Sequence, residues 1–339
     1  MQAAINNPEA SQIIIEEVHS PILKGNPLGD PDTRRVPVYL PPNFDPQKKY
    51  PSLYLLSSFG TRGLKMLTDS LWEENIQERL DRLIGSKAIR PLIVILPDAS
   101  TRYGGSQYVN SIATGQYEDH ILELVAYIDE NYPTEANRNF RAIAGHSSGG
   151  FAATRFGMLH ADIFGYVADH SGDKFFDLTF RADFPHLLAY HEKVGHEGLE
   201  RLLKNPGEEL AKGASFHALS LLATAACFSP NKDAEFGFDL PIDLKTGELQ
   251  EQVWDKWLAV DPVLNVKSST ENLKSLNLLF VDCGTYDEYN LVYAARVFSN
   301  NLGEAGIAHH FEEFPGGHRD VRYRYDISFQ AISEAMPPL

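Results

Sequence analysis

Residues 13–18 are β-branched and apolar, and residues 35–40 alternate before Pro41 and Pro42, where a strand would lose a ladder donor. The turn residues between them predict a hairpin-like opening. Residues 53–56 and 92–96 are nearly continuous apolar runs, the pattern of parallel strands covered on both faces. Between them Leu71, Ile76, Leu80 and Leu83 recur at helical spacing and predict a helix over 69–84. Ile121, Leu122, Val125, Ala126 and Ile128 form the apolar face of a second helix over 117–132. Strands are predicted at 140–144 and 164–168, with a helix over 151–159 between them.

This alternation means an α/β fold, a mostly parallel central sheet with helices on both faces. It breaks at residue 174 and resumes with a strand at 276–281. A helix over 291–302, a strand at 309–314 and a final helix over 321–336 follow. We find no internal repeat and no low-complexity segment. One α/β domain, residues 1–173 and 275–339, is therefore expected. A largely helical insertion, residues 174–274, interrupts it after its sixth strand. The insertion holds Phe175, Phe176, Phe180, Phe184, Trp254 and Trp257, which suit a cap over a pocket and a small core of its own equally. Trp254 and Trp257, three apart, share a helix face, which favours packing.

The chain has 339 residues, 43% of them apolar, enough for a sizeable core in one large domain or two smaller ones. Its net charge of −16 argues against nucleic acid or an anionic membrane surface as a partner. Two cysteines, Cys227 and Cys283, are too few for a disulfide framework or a cysteine zinc site. Residues 1–9 lack a basic start followed by an apolar stretch, so no leader is expected. No run approaches the ~20 apolar residues of a membrane span. A cytoplasmic location is the expectation.

Gly145-His146-Ser147-Ser148-Gly149 matches G-x-S-x-G between a predicted strand and a predicted helix. In such a turn the serine hydroxyl is pushed above the sheet, and a side chain at either glycine would collide with its neighbours. Ser147 is the candidate nucleophile. The N–H of Ser148 opens the helix where an oxyanion would form. His146 reads as structural support. Chain order Ser, Asp or Glu, then His directs the search downstream. His318 follows the 309–314 strand in a turn with Gly316 and Gly317 and is the best-placed base. His309 and His310 lie inside that strand. His186, His191, His196 and His217 belong to the insertion and show no convincing ligand spacing, so no metal and no cofactor are expected. For the acid, Asp287 lies past Gly284 in the preceding loop, with Glu288 as another candidate. Asp282, at the strand end, would instead bond the loop's backbone N–H groups.

These residues resemble the esterase branch of the α/β-hydrolases, which includes esterase D (S-formylglutathione hydrolase), feruloyl esterases, enterochelin esterases and mycolyl transferases. The match is carried by residues 50–59, 117–119, 145–150, 282–289 and 316–318, over about 12–172 and 275–335. The resemblance implies Ser147 as nucleophile, His318 as general base and Asp287 as its orienting acid. It implies oxyanion donors at the N–H groups of Phe59 and Ser148. The family often has glycine before the first donor, whereas this chain has Ser58, which leaves Gly60 as a fallback.

The expectation is a serine carboxylic-ester hydrolase working through an acyl-enzyme on a small-molecule or glycan-linked ester. The same triad could run acyl transfer, and a binding protein on a hydrolase scaffold is the non-enzymatic alternative. A peptidase is disfavoured by the lack of a separate gating domain. The size of the insertion argues against formylglutathione as substrate.

Overall fold

The apolar runs send alternate side chains to opposite faces of one sheet, and each face acquires its own helical cover. A computed structural model describes residues 9–319 and 321–339. Met1 to Pro8, on which the expectation of no leader chiefly rests, lie outside the described residues. The strands are β1 (Gln12–His19), β2 (Thr33–Leu40), β3 (Ser52–Leu56), β4 (Ile93–Ile95), the short pair β5 (Asn110–Ser111) and β6 (Gly115–Gln116), β7 (Arg141–His146), β8 (Tyr166–His170), β9 (Leu278–Gly284) and β10 (His310–Phe314). The eight-stranded sheet runs β1-β2-β4-β3-β7-β8-β9-β10. β1, β2 and β4 pair antiparallel, with β1 and β2 forming the expected hairpin. All pairs from β4 to β10 are parallel.

The helices are α1 (Ile76–Gly85), α2 (Tyr117–Asn131), α3 (Ser148–Leu159), α4 (Phe184–Lys204), α5 (Pro206–Ala211), α6 (Phe216–Phe228), α7 (Glu251–Leu258), α8 (Pro262–Asn265), α9 (Thr270–Ser275), α10 (Leu291–Glu304) and α11 (Arg324–Ala335). Tyr54, Leu56, Ile143, Val167 and Val281 pack on one face of the sheet beneath α2, α3 and α10. Their neighbours Leu53, Leu55, Ala142, Ala168 and Phe280 pack on the other beneath α1 and α11. A third apolar cluster joins α4, α6 and α7 and contains Phe176, Phe180, Phe184, Trp254 and Trp257. Phe175 instead packs against the first cluster.

The predicted helix over 69–84 starts later, at Ile76. Asn75 closes a capping box: its side chain accepts the Glu78 N–H at 3.1 Å, and its own N–H donates to the Glu78 carboxylate at 2.8 Å. Leu71 and Trp72 precede that cap and are each 91% exposed. Among the described residues no helix is long and apolar enough to cross a membrane. Both cysteines are free and buried, and burial pushes each thiol up to about 12, so neither competes as a nucleophile.

Candidate active site

The parallel strands end at one edge of the sheet, where His146 of β7 stands level with His170 of β8, and His170 with Asp282 of β9. Ser147 alone links β7 to α3. Its φ of 58° and ψ of −125° are rare for a residue with a side chain. The turn is tied to the next strand by the Ser147 N–H, which donates to the His170 carbonyl at 3.0 Å. It closes only because two side chains are missing. A Cβ on Gly145 would stand 2.4 Å from the Gly149 carbonyl, and one on Gly149 would stand 2.5 Å from the Leu56 oxygen.

Three of the expected residues meet above this turn. His318 Nε2 lies 3.0 Å from Ser147 Oγ, and His318 Nδ1 lies 2.8 Å from Asp287 Oδ2. The other oxygen of Asp287 accepts the Tyr289 N–H at 2.9 Å and the Leu291 N–H at 3.4 Å, which fixes the carboxylate. Asp287 and His318 are both buried. Glu288 holds the histidine loop by its backbone, accepting the His318 N–H at 2.6 Å. Asp282 is elsewhere. It lies 2.7 Å from His170 Nδ1 and accepts from Arg324 Nε at 2.8 Å, so side chains take the place of the backbone partners expected for it. The two loops touch so closely that a Cβ on Gly284 would sit 2.4 Å from the Gly316 carbonyl.

His146 Nδ1 lies 2.9 Å from Ser58 Oγ, and its ring centroid is 4.6 Å from that of His318. Burial, with the neighbouring His318, holds its pKa well below the usual imidazole range, so it is neutral at pH 7. The Ser148 N–H opens α3 and has no intrahelical acceptor. Among the described residues the Phe59 N–H likewise has no acceptor. The Gly60 N–H is already engaged, donating to the Gly104 carbonyl at 3.0 Å, which removes the fallback. Ser58 keeps a negative φ, so it needs none of glycine's freedom. The loop is braced by Tyr108, whose hydroxyl donates to the Ser57 carbonyl at 2.8 Å.

A cavity of about 430 Å³ opens over Ser147. Phe59, Gln107, His146 and Tyr289 line it from the sheet side, and Asp173, Phe180, Asp183, Phe216 and His217 line it from the segment between β8 and β9. Asp173, Gln107 and Asp183 were not singled out from the sequence, because no motif or spacing marks them. α4 and α6 also bring Asp183, His186 and His217 together, with possible ligand atoms within 4.8 Å of one another. Asp183 Oδ1 and His217 Nδ1 already satisfy each other at 2.9 Å.

Residues 31–332 match the family model Esterase, described as "Putative esterase". The chain belongs to this esterase family. Esterase Rv1288 of Mycobacterium tuberculosis is 25% identical over 297 residues, which cover 83% of this chain and 51% of that protein. The chain thus spans about half the length of these curated relatives. Among solved structures, a ferulic acid esterase superposes with a TM-score of 0.59 at 22% identity, covering 96% of this chain and 98% of its own. S-formylglutathione hydrolase FrmB of Staphylococcus aureus gives 0.57 at 19%, covering 96% and 99%. These likenesses establish the fold of the esterase family for this chain.

Proposed function

We propose that this protein is a serine carboxylic-ester hydrolase with Ser147 as nucleophile, His318 as general base and Asp287 as its orienting acid. The carrying observation is the unbroken chain from Ser147 Oγ through His318 to Asp287, at 3.0 and 2.8 Å. Membership of the esterase family supports the same reaction class.

In this reading His318 Nε2 takes the Ser147 proton as the hydroxyl attacks the ester carbonyl. Asp287, held by two backbone N–H groups, keeps the Nδ1–H tautomer and stabilises the imidazolium. The N–H groups of Phe59 and Ser148 receive the oxyanion, each donor contributing ~3–4 kcal/mol in the transition state. His318 then protonates the leaving alcohol, and water, activated by the same imidazole, releases the acid from Ser147. Residues 174–274 form the far wall of the cavity and set specificity.

A p-nitrophenyl ester series from acetate to long acyl chains, run on wild type and Ser147→Ala, tests this. Turnover that vanishes in the folded variant is expected. Ester hydrolysis retained by Ser147→Ala removes the assignment. Product analysis with added alcohol separates hydrolysis from acyl transfer.

A further inference from the structure

Two helices of the segment between β8 and β9 bring three potential metal ligands to the wall of the cavity. Asp183 immediately precedes α4, His186 lies three residues on along it, and His217 is the second residue of α6. A carboxylate oxygen and two imidazole nitrogens, one from each residue, all lie within 4.8 Å of one another. The helices that carry them are fixed: Phe184 and Leu187 of α4 pack with Ala218 and Leu221 of α6 in one buried cluster. The His186 and His217 rings stack with their centroids 4.6 Å apart. Asp183 pairs with His217 at 2.9 Å and, among the described residues, with no lysine or arginine. Its second oxygen, both nitrogens of His186 and Nε2 of His217 have no hydrogen bond to any described residue. Burial pushes the Asp183 carboxyl above the usual carboxylate range, with His217 pulling against it. A carboxylate so placed is short of positive charge, and a bound cation would supply it.

We propose that Asp183, His186 and His217 bind one divalent transition-metal ion, zinc above others, and that the bound ion obstructs the cavity. Two imidazoles and one carboxylate suit zinc and disfavour calcium or magnesium, whose sites are built from oxygen. Zinc–ligand bonds of about 2.0–2.1 Å put the donors of a tetrahedral site about 3.3 Å apart. Asp183 and His217 already stand that close, and the exposed His186 closes the remaining gap by side-chain rotation. Three protein ligands leave a fourth position for water. Asp183 and His217 line the cavity beside Tyr289, whose ring centroid is 5.8 Å from that of His217 and 4.7 Å from that of His318. A hydrated ion here stands one tyrosine ring away from the base and takes space that an ester would need. It supplies no step of the acyl chemistry. No spacing in the sequence marks this set, because its third member comes from a second helix.

Titration of the metal-free full chain tests the site without any ester, with zinc followed by calorimetry and cobalt(II), as its stand-in, by visible absorption. One equivalent of metal is expected, with cobalt giving the intense bands of tetrahedral ligation. His186→Ala and His217→Ala are each expected to weaken binding by about tenfold or more. His196, Glu200 and Glu235 form another, more exposed group of possible ligands, and His196→Ala, in which binding is expected to be unchanged, controls for it. No binding up to about 1 mM zinc, an affinity unchanged in His186→Ala or His217→Ala, or binding lost in His196→Ala would each overturn the proposal. The obstructing role rests on the esterase reading. Zinc is expected to slow turnover of p-nitrophenyl acetate, EDTA to restore it, and His186→Ala to need about tenfold more zinc for the same inhibition. Turnover unchanged at full zinc occupancy would overturn that role. Absence of turnover in the metal-free wild type would instead count against the esterase reading, and the titrations would still decide the site.

Discussion

At the scale of single residues, the account depends on a few contacts that conservative changes can break. Asp287→Asn keeps the shape of the acid but favours the wrong tautomer of His318, and a fall in kcat of about 10⁴ is expected. Steady-state kinetics with unchanged circular dichroism checks it; a loss below tenfold would move the acid to another residue. Asp173 makes a prediction about stability. Its folded pKa, about 6, lies above the usual 3.8 for aspartate, so the folded state holds this proton more tightly. Its contribution therefore falls as pH rises from about 4 to about 6, and the deficit, at most about 3 kcal/mol, persists at neutral pH. Asp173→Asn should unfold at higher denaturant than wild type at pH 7, with the gap closing near pH 4. Ser147, Asp287 and His318 were legible in the sequence because turn chemistry and chain order single them out. Gln107 was not, because what marks it is a buried amide oxygen without a partner, and a missing partner exists only in three dimensions.

At the scale of elements, the glycine contacts and one buried ion pair fix the loops that carry the site. Lys174 and Asp169 are almost wholly buried, 3.0 Å apart, and Asp169 also accepts the Gly172 N–H at 2.8 Å and the Thr154 hydroxyl at 2.6 Å. Lys174→Met strips the counter-charge from Asp169, and a loss of about 3–5 kcal/mol in chemical denaturation is expected. A loss under 1 kcal/mol would show that the pair does not hold the start of the segment between β8 and β9. The capping box of α1 makes a smaller claim: Asn75→Ala should cost about 1 kcal/mol. That box also explains the largest boundary error in the sequence reading. Leu71 fits the helical spacing, but Asn75 and Glu78 are a stronger start signal than one apolar position. The strand ends moved by at most three residues, because hydrogen-bonded ladders and apolar runs need not stop at the same residue.

At the scale of the whole molecule, the strand–helix alternation was readable and the order of the strands was not. That β4 lies between β2 and β3 depends on which edges meet during collapse, a long-range choice that no local pattern encodes. The consequence is functional. β3, β7, β9 and β10 deliver Phe59, Ser147, Asp287 and His318 from their carboxyl ends to one edge of the sheet, although those residues are far apart in sequence. The segment between β8 and β9 closes the cavity from the other side with its own aromatic cluster. The central claim is that this assembly activates Ser147, and reaction with a fluorophosphonate followed by peptide mass analysis tests it most directly. The account predicts one adduct, on the peptide that contains Ser147, absent in Ser147→Ala and strongly slowed in His318→Ala. An unlabelled Ser147 in folded, ester-hydrolysing protein would contradict it.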